Sequence, residues 1–238
     1  MSWTRIRAIF RKEVREYQRN RSIVLTMAVI PLVFVAGPLI NIFALPSEAG
    51  QQLRFEHILV YMLGIPAIVP AVIASYSVVG ERTQGSLEPV LTTPIPREEF
   101  LLAKALAALV PSLVISYVVF IGVVVAIELF AQPGIASSLI LGPDVLAQII
   151  FTPLVAGWSI WVGMAISTKV SEARTAQQLG TFASVPSAII AALIAYGAIA
   201  ATLQLAVGAA VVLIVLNIVG WRVTSTLFDR ERLIAGAR

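Results

Sequence analysis

The chain has 238 residues, 58% of them hydrophobic and only 13% charged, against about 25% charged in an ordinary soluble domain. Its long uncharged runs predict an all-α integral membrane protein and exclude a globular one. Cysteine is absent and His57 is the single histidine, which excludes disulfides, thiolate metal sites and histidine clusters.

The first element is amphipathic. Trp3, Ile6, Phe10, Val14 and Tyr17 recur at steps of three and four and share one helical face. Arg5, Lys12, Arg15 and Arg19 lie largely away from it. A basic amphipathic helix with aromatics over 1–21 predicts a position in the membrane interface. A plain topogenic anchor and a helix that also touches a cytoplasmic partner both fit this pattern. The polar start runs to Arg21 and the apolar stretch after it is too long for a cleavable leader, so the first span is expected to stay.

Uncharged stretches follow at 22–47, 57–80, 105–127 and 145–168, each long enough to cross a bilayer. The last, 175–221, has 47 residues without Asp, Glu, Lys or Arg. As one helix it would run about 70 Å, more than twice the hydrocarbon core, so it must fold back. The turn is expected around 197–204, either bare or with a short re-entrant element, which makes six spans. With six, 16 of the 17 Lys and Arg fall on one face and only Arg54 opposite. The positive-inside rule makes that face cytoplasmic, with both termini there. Glu48, Glu56, Glu128 and Asp144 fall on the outer side. The chain then reads as one membrane domain over 1–238: helix 1–21, six spans over 22–221 and a cytoplasmic tail 222–238.

The connection between spans two and three holds most of the polar chemistry. Ser86 suits an N-cap, and Leu87, Glu88 and Pro89 suit the first turn of a helix. That helix is short, because Pro94 disfavours helix at Thr93. Pro96, with Glu98 and Glu99 behind it, then opens span three. Two readings fit: a loop whose leucines dip into headgroups, or a rigid knob for a groove on a cytoplasmic protein.

The run Glu81-x-x-x-Gly85-Ser86-Leu87-Glu88-x-x-Leu91-x-Thr93-Pro94-x-x-Arg97-x-Glu99-x-x-x-x-Lys104 resembles the loop after the second span in ABC-2 type exporter permeases. The layout of six spans behind a basic amphipathic helix is similar too. The resemblance implies a membrane subunit working as a homo- or heterodimer with a second permease protomer, above two nucleotide-binding ATPase subunits. The short helix would be the coupling helix on the ATPase, flanked by the N-terminal helix. Carried over by residue, Glu81, Gly85, Ser86, Leu87, Glu88 and Leu91 match the coupling motif, and Pro94, Arg97, Glu99 and Lys104 match its exit. The chain departs from the pattern at Pro96, where a small hydroxyl residue is usual, and at Pro89 and Val90.

Within the spans, Pro31, Pro38, Pro66, Pro70, Pro111, Pro153 and Pro186 suggest local shape or kinks that let helices rock. Span five carries two small-residue ladders, Ser184/Ala188/Ala192 and Ser187/Ala191/Ala195. They suit either packing within the chain or, as the resemblance favours, a dimer interface. Asn41, Gln148 and Asn217 are expected to hydrogen-bond between helices, and His57 to meet headgroups. No ionisable side chain is expected at mid-bilayer, which disfavours an ion-coupled carrier.

No phosphate-binding Gly-x-x-x-x-Gly-Lys-Ser/Thr loop occurs, so ATP and Mg would sit on the partner ATPase and no cofactor or metal on this chain. The expectation is therefore a non-enzymatic, multi-pass permease subunit in a prokaryotic plasma membrane. It would contact lipid and no nucleic acid, and would serve an ATP-driven exporter of hydrophobic or amphipathic cargo. A non-transporting membrane assembly protein is the alternative, with an ion-coupled carrier behind it.

Overall fold

The computed structural model describes residues 2–44, 57–83, 96–131 and 133–227. Among them every regular element is helical. In chain order these are α1 (Trp3–Arg19), α2 (Arg21–Ala44), a 3-10 helix (Ile58–Leu63), α3 (Gly64–Tyr76), α4 (Val79–Thr83) and α5 (Arg97–Phe130). After them come α6 (Pro133–Leu139), α7 (Gly142–Lys169), α8 (Ala173–Ala195) and α9 (Leu203–Leu227). Six segments are long and apolar enough to cross a membrane; the 3-10 helix, α3 and α4 together form the second.

The long uncharged stretch folds back where the sequence requires it. Helix α8 stops at Ala195 and α9 starts at Leu203, and Gly197 makes the turn at φ 71°, open to a residue without Cβ. The short helix α6, between spans three and four, has no sequence expectation behind it.

The second span is the core. In its most apolar window 89% of residues are buried, against 6% in α9. Spans one, three, four and five all pack on it, while α9 packs chiefly on α7. Two glycines set the approach. A Cβ at Gly163 would come within 2.6 Å of the Ala71 carbonyl oxygen, and one at Gly180 within 2.0 Å of Ser75 Oγ. Helices α7 and α8 thus close on the same strip of α3, where lipid supplies no hydrophobic drive and small residues let backbones meet.

Hydrogen bonds fix which ends lie together. Ser22 reaches Gln177, Val78 reaches Ser167, Arg82 reaches Val170 and Arg97 reaches Ser225. The start of span one, end of two, start of three, end of four, start of five and end of six therefore share one end of the bundle, with α1 beside them. At the other end His57 pairs with Asp144, and Phe34, Tyr61 and Tyr196 stack at 4.9 and 6.0 Å. His57 thus meets a carboxylate of span four, where a headgroup contact was expected.

The prolines do not break their helices. Helices α2, α5, α7 and α8 run through Pro31 and Pro38, Pro111, Pro153 and Pro186 without interruption. The break in span two falls at Ser77–Val78, seven residues beyond Pro70, the last proline of α3.

Candidate functional site at the base of the 84–95 connection

Helix α1 lies against the bundle with its apolar face inward. Ile6 and Tyr17 are buried and Ile9, Phe10 and Val14 pack on the core, whereas Trp3 is exposed. The face expected to meet the membrane interface is covered largely by protein. Glu13 sits on that same face and is buried with it. A buried carboxylate needs a cation and hydrogen bonds to offset its lost hydration.

Lys104 of α5 is that cation. Its side chain is fully buried, and its ammonium donates to Glu13 Oε1 (2.9 Å), Glu81 Oε1 (3.0 Å) and the Ser77 carbonyl (2.7 Å). An ammonium has three protons, so three acceptors saturate it. The Phe100 ring lies 5.0 Å from Nζ and closes another side. Lys12 Nζ donates to the same Glu81 oxygen at 2.9 Å, and Tyr17 donates its hydroxyl to Glu13 Oε2 at 3.2 Å. Two carboxylates and two ammoniums thus form a knot joining α1, the end of span two and span three.

A second clamp grips the start of α1. Glu99, in the first turn of α5, accepts on Oε1 from Arg5 Nη2 at 3.2 Å and from the Ser2 backbone N–H at 2.7 Å, and its Oε2 lies 2.9 Å from Arg5 Nε as an ion pair. The roots of the 84–95 connection are tied further. Arg82 donates to the Val170 carbonyl and Arg97 to the Ser225 carbonyl, both at 3.2 Å.

Between the knot and the core of span two the helix opens. Ser77 and Val78 form a turn between α3 and α4. The N–H groups of Val78 and Val79 donate to the Ser167 hydroxyl at 2.9 and 3.1 Å, while the Ser77 carbonyl takes the Lys104 ammonium. Side chains of spans three and four thus replace the backbone partners that a continuous helix would give.

The surroundings shift the titration of the α1 groups. Burial lifts the Glu13 carboxyl above the ordinary carboxylate range; the Lys104 charge opposes this and the Glu81 charge adds to it. Burial pulls the Lys12 ammonium down, but its hydrogen bond to Glu81 and the charge of that group outweigh it, so Lys12 stands above the usual lysine range. Burial and the Glu13 charge hold the Tyr17 phenol well above the tyrosine range.

Of the residues expected to couple to an ATPase, Glu81 joins the Lys104 knot, Glu99 the Arg5 clamp and Arg97 the end of α9, while Gly85, Ser86, Leu87, Glu88, Leu91 and Pro94 lie outside the described residues. Lys104, expected at the motif's exit, lies in α5, which begins at Arg97, and is buried there about two turns in. Arg5, Lys12 and Glu13 were not singled out as site residues. A glutamate in phase with Ile6, Phe10 and Tyr17 was the available signal.

The small residues of α8 expected at a dimer interface are buried or half-buried within the chain. Ser184, Ala191 and Ala195 are buried, Ser187 and Ala188 half-buried, and Ala191 packs with Val60 and Leu63 of the 3-10 helix. Phe182, Ile189, Ile190 and Leu193 face outward instead. Of the expected polar bridges, Asn217 donates to the Leu154 carbonyl at 2.9 Å and accepts from Trp161 Nε1 at 3.2 Å. The Gln148 amide is buried and finds no protein partner among the described residues.

Comparison with protein families matches residues 7–228, nearly the whole chain, to the family described as ABC-2 family transporter protein. Comparison with curated proteins finds no match.

Proposed function

Because the chain belongs to the ABC-2 transporter family, as a multi-pass permease subunit of an ABC transporter, we propose that it converts ATP turnover on a separate subunit into movement of its second and third spans. The 84–95 connection is the coupling element, docking on a nucleotide-binding ATPase subunit that carries ATP and Mg. The basic end of the bundle is then cytoplasmic, in keeping with the distribution of Lys and Arg. The cargo is hydrophobic or amphipathic and leaves the cell, through a path walled by Phe, Leu, Val and Ala.

One observation carries this reading. Both roots of the connection, at Glu81 and Glu99, are held by ion pairs to one helix, α1. Lys104 joins the first root to the span that follows. A push on a connection tethered in this way is not absorbed by its ends. It passes to the most buried span, against which spans one, three, four and five are packed. Family membership and this tethering favour a transporter over a membrane recruitment protein.

The test is made on the complex with its ATPase, reconstituted in vesicles. Leu87→Ala with Glu88→Ala should leave the complex assembled or weakened and uncouple ATP turnover from transport. Unchanged coupled turnover would dismiss the assignment. Full transport in vesicles lacking the ATPase would dismiss the ATP-driven reading altogether.

A second permease protomer completes the path. Given the burial of Ala191, its interface uses the outward residues of α8. In this cysteine-free chain, Ile190→Cys should cross-link two copies, whereas Ala191→Cys should not.

A further inference from the structure

The side of α1 away from the core lines a groove of about 860 Å³, closed by Tyr76 at the end of α3. Arg11, Arg15 and Arg19 all line it, with Lys12 and Glu16 between them. Lys12 lies within ion-pair distance of Glu13, Glu16 and Glu81, so its charge is met. The three arginines are different. No described residue pairs with Arg11, Arg15 or Arg19, and they follow one another at helical steps of four. Like charges at that spacing repel and weaken a helix. Arg11, Arg15 and Arg19 are exposed and hydrated, so together they offer an incoming anion three guanidiniums on one groove.

We infer that this groove binds the phosphate of one anionic phospholipid, gripped by Arg11, Arg15 and Arg19. Guanidinium forks suit phosphate oxygens, and basic pockets beside membrane helices take anionic headgroups. Its position favours lipid over an acidic protein loop. Arg19 and Asn20 line the groove and directly precede the first span, which starts at Arg21. The apolar side chains that come next, Leu25, Val29 and Leu32, are exposed in one stripe along α2. A phosphate held beside Arg19 and Asn20 sits at the level where the apolar spans begin, as a lipid headgroup does, whereas a soluble partner would have to reach to that level. The bound lipid would brace α1 from the side opposite the Glu13–Lys104 knot. The site stands independently of the coupling proposal.

The full-length permease in nanodiscs of phosphatidylcholine and phosphatidylglycerol tests this, read by native mass spectrometry of retained lipid. Wild type should retain one phosphatidylglycerol in roughly tenfold preference to phosphatidylcholine, and Arg15→Gln with Arg19→Gln should lose most of that preference. Arg15→Lys with Arg19→Lys should keep part of it and rule out a folding defect. Arg7→Gln with Arg222→Gln removes the same charge outside the groove and should change little. Equal loss in that control, or no loss in the Arg15/Arg19 variant, overturns the site. Displacement of the lipid by free glycerol phosphate would make it a site for soluble phosphate and overturn the lipid assignment. So would an Arg15/Arg19 variant that keeps its lipid but fails to capture the ATPase, since the groove would then serve a protein.

Discussion

Lys104 donates a 2.7 Å hydrogen bond to the carbonyl of Ser77, at the turn where the helix of the second span opens. The same ammonium binds Glu13 and Glu81, so one side chain both caps the opening and ties it to α1. Breaking a buried pair by removing one partner leaves the others uncompensated, at a cost of about 3–5 kcal/mol. Lys104→Met should therefore lower the thermal midpoint of the purified permease substantially. Adding Glu13→Gln should recover part of the loss, because one of the stranded charges goes with it. A double-mutant cycle on the midpoint measures this coupling, and additive losses would show that the two residues do not act together.

Glu99 holds the other end of α1 and should yield a smaller, local effect. Glu99→Gln keeps the shape but removes the charge that Arg5 and the Ser2 N–H address. Arg5 is half-exposed, so solvent screens its contact with Glu99 and the effect should be modest. The expected outcome is fraying of residues 2–7 with the rest of the fold intact. Faster trypsin cleavage at Arg5 and Arg7 and an unchanged thermal midpoint would report it; a global loss of stability would contradict it.

The spans, their number and the fold-back were legible because each rests on one strong signal, the cost of placing charge or unpaired backbone in lipid. The site was legible only in part. The spacing of Glu81, Arg97 and Glu99 marked the connection as special, yet nothing local said that α1 would reach all the way back to it. Glu13 could have been flagged as an acid on an apolar face, but its partner lies 91 positions away at Lys104. The small residues of α8 illustrate a different limit. Small residues such as Ser184 and Ala191 serve a neighbouring span and a neighbouring protomer alike. Their burial within the chain adds what period and size do not carry.

The close approach of span four to span two depends on Gly163. A methyl there would meet the Ala71 carbonyl oxygen at 2.6 Å and Ala74 Cβ at 3.0 Å, and the first of these is backbone that cannot rotate aside. Overpacking of this kind costs about 1–3 kcal/mol. Gly163→Ala should lower the thermal midpoint and should also loosen the opening at Ser77, since Ser167 lies one turn further along the same helix face. Faster hydrogen exchange at Val78 and Val79 than in wild type is the specific readout. Lost stability with unchanged exchange there would separate the packing from the opening.

Alkaline pH should release α1. Lys12 and Tyr17 both titrate above their ordinary values, about 10 for each group when free. For a group whose folded value is raised, the native state holds its proton more tightly than the unfolded chain does. The stability it contributes is complete below the free value and is lost as pH rises through the folded one. Docking of α1 should thus hold steady up to about pH 10 and fail above it. A spectrophotometric titration of wild type against Tyr17→Phe isolates the phenol, which should ionise well above a free tyrosine. Glu13→Gln should bring that ionisation down, because it removes the carboxylate charge opposing the phenolate. An unchanged titration in Glu13→Gln would mean that burial alone holds the phenol neutral and that the Glu13–Tyr17 contact contributes nothing.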